Sequence, residues 1–208
     1  MNTRQAYHVW SETYDSVENK NRDLEARALR ETLLGDDLDI LEIGCGTGKN
    51  TDFLRAKAKK LVGADFSAAM LERAKAKITA ANVEFRQMDL REDWNFAESS
   101  FDLITCSLAP EHIEDIDFVF VQARKILREN GRFYISELHP FEQYQGSKAR
   151  FETGSGVFEL ECFVHHVSEF FQTAKNNDFR CAELKEWFDD TIKTPVPRLL
   201  TMIFDARN

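Results

Sequence analysis

The chain has 208 residues, 43% of them hydrophobic and 30% charged, and 36 acidic side chains against 27 basic ones leave a formal net charge of −9. That is the size and composition of one globular core. The acidic balance argues against a chain whose main task is to coat nucleic acid or an anionic membrane.

No apolar run approaches the ~20 residues that cross a bilayer, and the first residues lack the apolar stretch of a signal peptide. Cys45, Cys106, Cys162 and Cys181 form no CxxC pair and sit at no metal-ligand spacing with a histidine. The expectation is a cytoplasmic protein with reduced thiols.

In chain order, the first 35 residues are helical in character. Tyr7, Trp10 and Tyr14 are spaced three and four apart, which places them on one helical face. That stripe either packs on a sheet or closes over a ligand. Short runs rich in Val, Ile, Leu and Phe predict buried strands at 38–43, 60–64, 83–87, 101–106 and 131–136. Helices are expected over 50–58, over 68–80 behind the N-cap Ser67, and over 116–128 with a stop at Asn130-Gly131. Strands alternating with helices imply right-handed crossovers and a parallel sheet covered on both faces.

From 139 to 156 the alternation breaks, and Pro140, Gly146, Gly154 and Gly156 mark an insertion. A strand at 157–164, a helix at 168–176 and closing strands at 179–187 and 199–205 follow, with Pro195 and Pro197 at the last turn. The chain divides into a helical lid (1–35), a cofactor-binding half (36–138), a substrate-side insertion (139–166) and a closing segment (167–208), all within one domain.

The sharpest feature is the run Leu38-Asp39-Ile40-Leu41-Glu42-Ile43-Gly44-Cys45-Gly46-Thr47-Gly48, an apolar strand entering three alternating glycines and then a helix. Backbone without Cβ atoms can approach a ligand closely. The dinucleotide fingerprint G-x-G-x-x-G requires a glycine where Lys49 stands. The second strand ends at Asp65, 21 positions after Gly44, an offset at which a carboxylate can accept both ribose hydroxyls of an adenosine ligand. The third strand ends at Met88-Asp89-Leu90, where a carboxylate can meet an adenine amino group between apolar neighbours. Each aspartate alone reads as a solvated strand end; together with the glycine loop they point to an adenosine site.

This ordered set, together with Gly63-Ala64-Asp65-Phe66-Ser67, Phe101-Asp102-Leu103-Ile104 and Arg124-Lys125-Ile126-Leu127-Arg128-Glu129-Asn130-Gly131-Arg132, resembles the class I S-adenosylmethionine-dependent methyltransferases. The order of motifs is similar to small-molecule enzymes such as the quinone-biosynthesis and malonyl-carrier-protein methyltransferases. The resemblance implies a Rossmann-like α/β fold: a seven-stranded, mostly parallel sheet with helices on both faces, an N-terminal helical lid and an insertion after the fifth strand. It implies S-adenosyl-L-methionine as cofactor, with Gly44, Cys45, Gly46, Thr47 and Gly48 beneath its methionine part. Asp65 would lie on the ribose and Asp89 near the adenine. Phe66, Ser67, Met70, Met88, Leu90 and Ser107 would complete the shell. Tyr14 would act as a lid, and Arg22 would meet the methionine carboxylate.

The fourth strand leads into Cys106-Ser107-Leu108-Ala109-Pro110-Glu111-His112. Relatives that methylate nucleic-acid amino groups carry Asp or Asn, Pro-Pro and an aromatic at this place, and this chain does not. With the acidic charge, that departure points to a small-molecule acceptor rather than nucleic acid. No set of hard oxygen ligands stands there, so no metal is expected. His112 and His139 are the acid/base candidates, since imidazole titrates near neutrality; the alternative for each is a hydrogen bond that caps a strand end. His165-His166 reads as a structural turn. In the insertion, Tyr144, Lys148 and Arg150 are the expected substrate contacts, suited to an acidic or carboxylate-bearing molecule with an apolar or aromatic body. The alternative is a packed loop with solvated charges. Two rival functions remain, a nicotinamide-dependent oxidoreductase, against which Lys49 speaks, and a non-catalytic scaffold that keeps the cofactor.

Overall fold

The computed structural model describes residues 3–32, 34–153, 156–189 and 196–207. Its frame is a seven-stranded sheet built from β1 (Leu38–Ile43), β2 (Ala58–Asp65), β3 (Val83–Gln87), β4 (Phe101–Ser107), β5 (Leu127–Leu138), β8 (Phe179–Phe188) and β9 (Pro197–Ala206). The order across the sheet is β3-β2-β1-β4-β5-β9-β8. The β1, β2, β3, β4 and β5 pairings are parallel, while β9 runs antiparallel to both β5 and β8. A separate hairpin of β6 (Arg150–Thr153) and β7 (Gly156–Glu159) forms the insertion after β5.

Strand side chains alternate between faces, and each face carries its own core. Leu41, Ile43, Val62, Ile104, Phe133 and Phe204 point to one side. There they meet α5 (Ile116–Ile126) and α7 (Val167–Asn176) through Phe120, Ala123, Phe170 and Ala174. Ile40, Leu61, Leu103, Tyr134 and Ile203 point to the other side. Leu29 of α2 (Lys20–Glu31) and Leu54 of α3 (Thr51–Leu54) cover that face. Burial on both faces explains why these strands read as unbroken apolar runs. Phe120 sits at the centre of the first core, edge-on to Phe133, Phe179 and Phe204 with centroids 5.3, 5.6 and 5.4 Å away.

Several expected boundaries move. The helix expected over 50–58 is helical by α-type bonding only at Thr51–Leu54, because β2 already begins at Ala58. Helix α4 (Ala68–Lys77) starts behind Ser67, whose hydroxyl accepts from Met70 N–H, and ends when Ile78 turns extended. Helix α5 stops at Ile126 rather than at 128: Leu127 is already paired with Phe101. Asn130, at φ +60, and Gly131 then make a turn inside β5, where the register jumps from Phe101↔Leu127 to Leu103↔Arg132. Arg128 clamps this irregularity by reaching Asp39 and Asp102 at 2.8 and 2.7 Å.

The strand expected at 157–164 ends at Glu159, after which the chain hooks under the loop beyond β4 through Phe163 N–H to the Glu111 carbonyl. At the front, α1 (Thr3–Trp10) is short, so Tyr14 lies in the following turn rather than on the helix. It still packs edge-on against Trp10 with centroids 4.9 Å apart. Gly154 and Pro195 lie outside the described residues.

The strand order reverses between β1 and β4, with β2 and β3 on one side and β5 on the other. In such a sheet the crevice outside the carboxyl ends of these two strands is where ligands bind.

Candidate functional site

The loop leaving β1 lines this crevice. Gly44 holds φ +70, and a Cβ there would sit 2.8 Å from the Ala109 Cβ, so the loops after β1 and β4 touch only because position 44 has no side chain. Gly46 holds φ +55 with nothing within 4 Å of its missing Cβ, leaving bare backbone open to the crevice. Gly48 serves packing instead, since its Cβ would meet Ile78 at 2.9 Å. Cys45 is buried and bonded through its N–H to the Ala64 carbonyl, and Thr47 donates its hydroxyl to Asp15 at 2.6 Å. Cys45, Thr47, Gly48 and Ser67 therefore shape the loop and the α4 start.

Asp65 forms the floor. One carboxylate oxygen accepts from Gly46 N–H at 2.9 Å and the other from Ser67 N–H at 2.8 Å. Only 6% of the residue is exposed. Burial pushes its carboxyl up to about 6, against the pull of those two N–H groups. A carboxylate offers about four acceptor positions, so two remain for a ligand. Behind the loop, Glu42 accepts from the Thr51 hydroxyl at 2.5 Å, and burial raises it to about 8.

Two cavities open here. The first, about 740 Å³ with its mouth, has Gly44, Gly46 and Asp65 at its base. Phe66, Met70, Met88 and Leu90 make an apolar slot, with Asp89, Ser107 and His112 around it. Asp89 is gripped by Arg91, Nε on one oxygen at 2.9 Å and Nη2 on the other at 2.7 Å. The second cavity, about 1830 Å³ with its open mouth, lies between the N-terminal helices and the insertion. Trp10, Glu111, Glu142, Lys148, Arg150 and Arg198 line it. Tyr7, Tyr14 and Leu108 line both, forming a shared wall.

Arg22 lines the second cavity rather than the first. Its guanidinium lies 4.1 Å over the Tyr14 ring and donates to the Tyr14 and Val17 carbonyls, while its buried Nε has no partner.

Of the two histidines singled out, only His112 reaches the cavities. Its Nε2 is 2.7 Å from the Tyr7 hydroxyl and its Nδ1 3.3 Å from the Glu161 carbonyl. A carbonyl only accepts, which puts the ring hydrogen on Nδ1 and makes Tyr7 the donor to Nε2. Burial lowers the His112 pKa, favouring this neutral ring. His139 is corrected: it lines neither cavity, its Nδ1 accepts from Phe141 N–H at the start of α6 (Pro140–Tyr144), and its Nε2 meets Glu186 at 3.0 Å. The proline after it starts a helical turn, and the imidazole is drawn into capping it.

Tyr144 is likewise 59% exposed, bonded to His166 and outside both cavities. Lys148, 4.0 Å from Glu159, and Arg150 do line the second. Sequence reasoning missed Glu111, Glu142 and Arg198. Glu111 neighbours His112 in sequence, but nothing local marks Arg198, which reaches the site only through the β5–β9 pairing.

Residues 40–131 match the family described as a methyltransferase domain. That stretch is a little under half of the chain. The chain is 30% identical over 111 residues to an uncharacterized methyltransferase of Schizosaccharomyces pombe, covering 49% of this chain and 39% of that protein. It is 29% identical over 175 residues to the uncharacterized methyltransferase YcgJ of Bacillus subtilis, covering 76% of this chain and 67% of that one. The crystal structure of an S-adenosylmethionine-dependent methyltransferase from Mesorhizobium loti shares the fold, with a TM-score of 0.72 at 21% identity over 88% of this chain and 97% of that chain. The chain thus spans well under half the length of the fission-yeast relative.

The matched stretch ends inside β5. The first cavity is built almost entirely from it, whereas the insertion, Lys148, Arg150 and Arg198 lie beyond it.

Proposed function

We propose that the protein is an S-adenosylmethionine-dependent methyltransferase acting on a small-molecule acceptor held in the second cavity. The observation that carries this reading is the shared wall of Tyr7, Tyr14 and Leu108, which joins a glycine-floored cavity to a larger polar one.

The residues of the first cavity suit the cofactor: Gly44 and Gly46 present backbone without a Cβ at its base, beside the acceptor positions left on Asp65. Asp65 would hold the ribose hydroxyls and Asp89 the adenine edge, with Phe66, Met70, Met88 and Leu90 flanking the ring. Gly44 and Gly46 would let the methionine part lie on backbone, and Ser107 would border it. When bound, the sulfonium supplies an electrophilic methyl group. The chain's own work is then to align the acceptor and exclude water, which together are worth roughly 7–11 kcal/mol of barrier.

Tyr7, Trp10 and Tyr14 cover the junction. Tyr7 stands there with its hydroxyl hydrogen on His112 Nε2, so a proton leaving the acceptor can be taken up at Tyr7 Oη as the Tyr7 proton passes to His112.

Lys148 and Arg150, joined by Arg198, favour an acidic or carboxylate-bearing acceptor over a nucleic acid. Among the described residues no helix is long and apolar enough to cross a membrane, in keeping with a cytoplasmic enzyme. Calorimetry with S-adenosylhomocysteine and with NADH tests the reading. Micromolar binding of the first supports it; tight binding of NADH alone overturns it in favour of an oxidoreductase.

A further inference from the structure

Glu111, in the wall of the second cavity, and Glu137 form a buried carboxyl pair, 5% and 2% exposed. Both Glu137 oxygens have a partner: one accepts from Glu111 N–H at 2.9 Å and the other from Leu138 N–H at 2.6 Å. Glu111 differs. Its Oε2 is buried without a partner, and the residue lines the cavity. The groups around it supply no positive charge. His112 Nε2 lies 3.9 Å away and is occupied by the Tyr7 hydroxyl. The Cys162 thiol bonded to Glu111 is pushed up to about 12 by burial and by that carboxyl, so it stays neutral. Tyr7 and Glu137 complete the surroundings, and among the described residues no lysine or arginine pairs with either carboxyl.

Two buried carboxyls without a cation must share a proton or wait for a positive charge. Burial raises both, Glu137 further because Glu111 faces it. The cavity beside them is walled by Tyr7 and Trp10, and aromatic faces attract an ammonium group. Lys148 and Arg150 stand at the insertion side of the same cavity.

We propose that the acceptor is a zwitterion with an aromatic or apolar body, whose ammonium group docks on Glu111 between Tyr7 and Trp10 while its acidic group faces Lys148 and Arg150. This rests on the methyltransferase reading for the word acceptor but not for the binding itself. Glu111 is the specificity-determining residue, replacing its proton by the ligand's charge when the ammonium enters.

The test is calorimetry at pH 7 with tyramine and with 4-ethylphenol, which matches it in body but lacks the nitrogen. Each titration is run in two buffers of different ionisation enthalpy, with and without S-adenosylhomocysteine. Tyramine is expected to bind at least tenfold more tightly than 4-ethylphenol and to release a proton from the carboxyl pair. In Glu111→Gln, which keeps shape and hydrogen-bonding capacity, both the preference and the proton release are lost; Glu137→Gln keeps the preference but releases less than half as much proton. Equal affinity for the two probes, no binding of either, or a preference that survives Glu111→Gln overturns the proposal. Binding of S-adenosylhomocysteine is read in the same experiment, so loss of the cofactor reading shows separately.

Discussion

Replacing Asp65 by Asn separates the cost of a buried charge from its use. In the folded chain the carboxyl holds its proton up to about 6, against an ordinary 3.8, because it is buried. A raised acid binds more protons folded than unfolded, so stability falls as pH rises between about 4 and 6 and the loss is complete above. At 1.36 kcal/mol per pKa unit the ionised form costs about 3 kcal/mol at neutral pH. Asn removes that cost. It also turns one acceptor into a donor facing Gly46 or Ser67 N–H, losing roughly 1.5–3 kcal/mol for a charged hydrogen bond. The two nearly cancel, and urea unfolding at pH 7.5 should move by no more than about 1 kcal/mol.

Ligand binding should not cancel. Losing a charged acceptor for the ribose hydroxyls weakens S-adenosylhomocysteine by about 10- to 100-fold, for the same roughly 1.5–3 kcal/mol. In the wild type, binding needs the ionised form, so affinity measured by calorimetry should fall roughly tenfold from pH 7 to pH 5. Asp65→Asn should flatten that dependence. A variant with affinity within twofold of wild type, or one that keeps the pH dependence, refutes the assignment of Asp65 to the ribose.

Gly44→Ala combines a left-handed backbone with a Cβ 2.8 Å from Ala109, and should destabilise by about 2–4 kcal/mol in urea while weakening cofactor binding; a loss under about 0.5 kcal/mol would show that the two loops yield easily. Phe120→Ala, removing the ring between Phe133, Phe179 and Phe204, should cost about 3–5 kcal/mol of unfolding free energy. Glu42→Gln should lose less stability than wild type between pH 5 and 9, because the wild-type carboxyl, raised by burial to about 8, binds its proton only when folded in that window. Parallel pH profiles would rule this out. Tyr7→Phe leaves a buried imidazole nitrogen unpaired and should cost about 1–3 kcal/mol, with a shifted His112 Nε2 resonance in nitrogen NMR as the direct readout.

The cofactor half was legible because its signals are local. An apolar run, a turn that needs glycine and an acid at the next strand end lie within a few residues of one another. Strands β1 and β4 were read nearly to the residue, since burial on both faces leaves few polar interruptions. The helix ends were read less well. Asn130-Gly131 has the composition of a helix stop, yet it serves as a turn inside β5 because Arg128 is claimed by Asp39 and Asp102 from distant strands.

The second cavity was hardly legible at all. His139 and His112 look alike in sequence, each just past a strand. Only packing sends one to cap a helix and brings the other under Tyr7, 105 positions away. Arg198 and Glu111 meet the same cavity from positions far apart in the chain. The sequence by itself determined the fold class, the glycine loop and the two aspartates, because those follow from periodicity and from backbone geometry that few residues permit. Which charges line the second cavity was decided by the tertiary structure, because it depends on contacts between segments that carry no signal of one another until the sheet has brought them together.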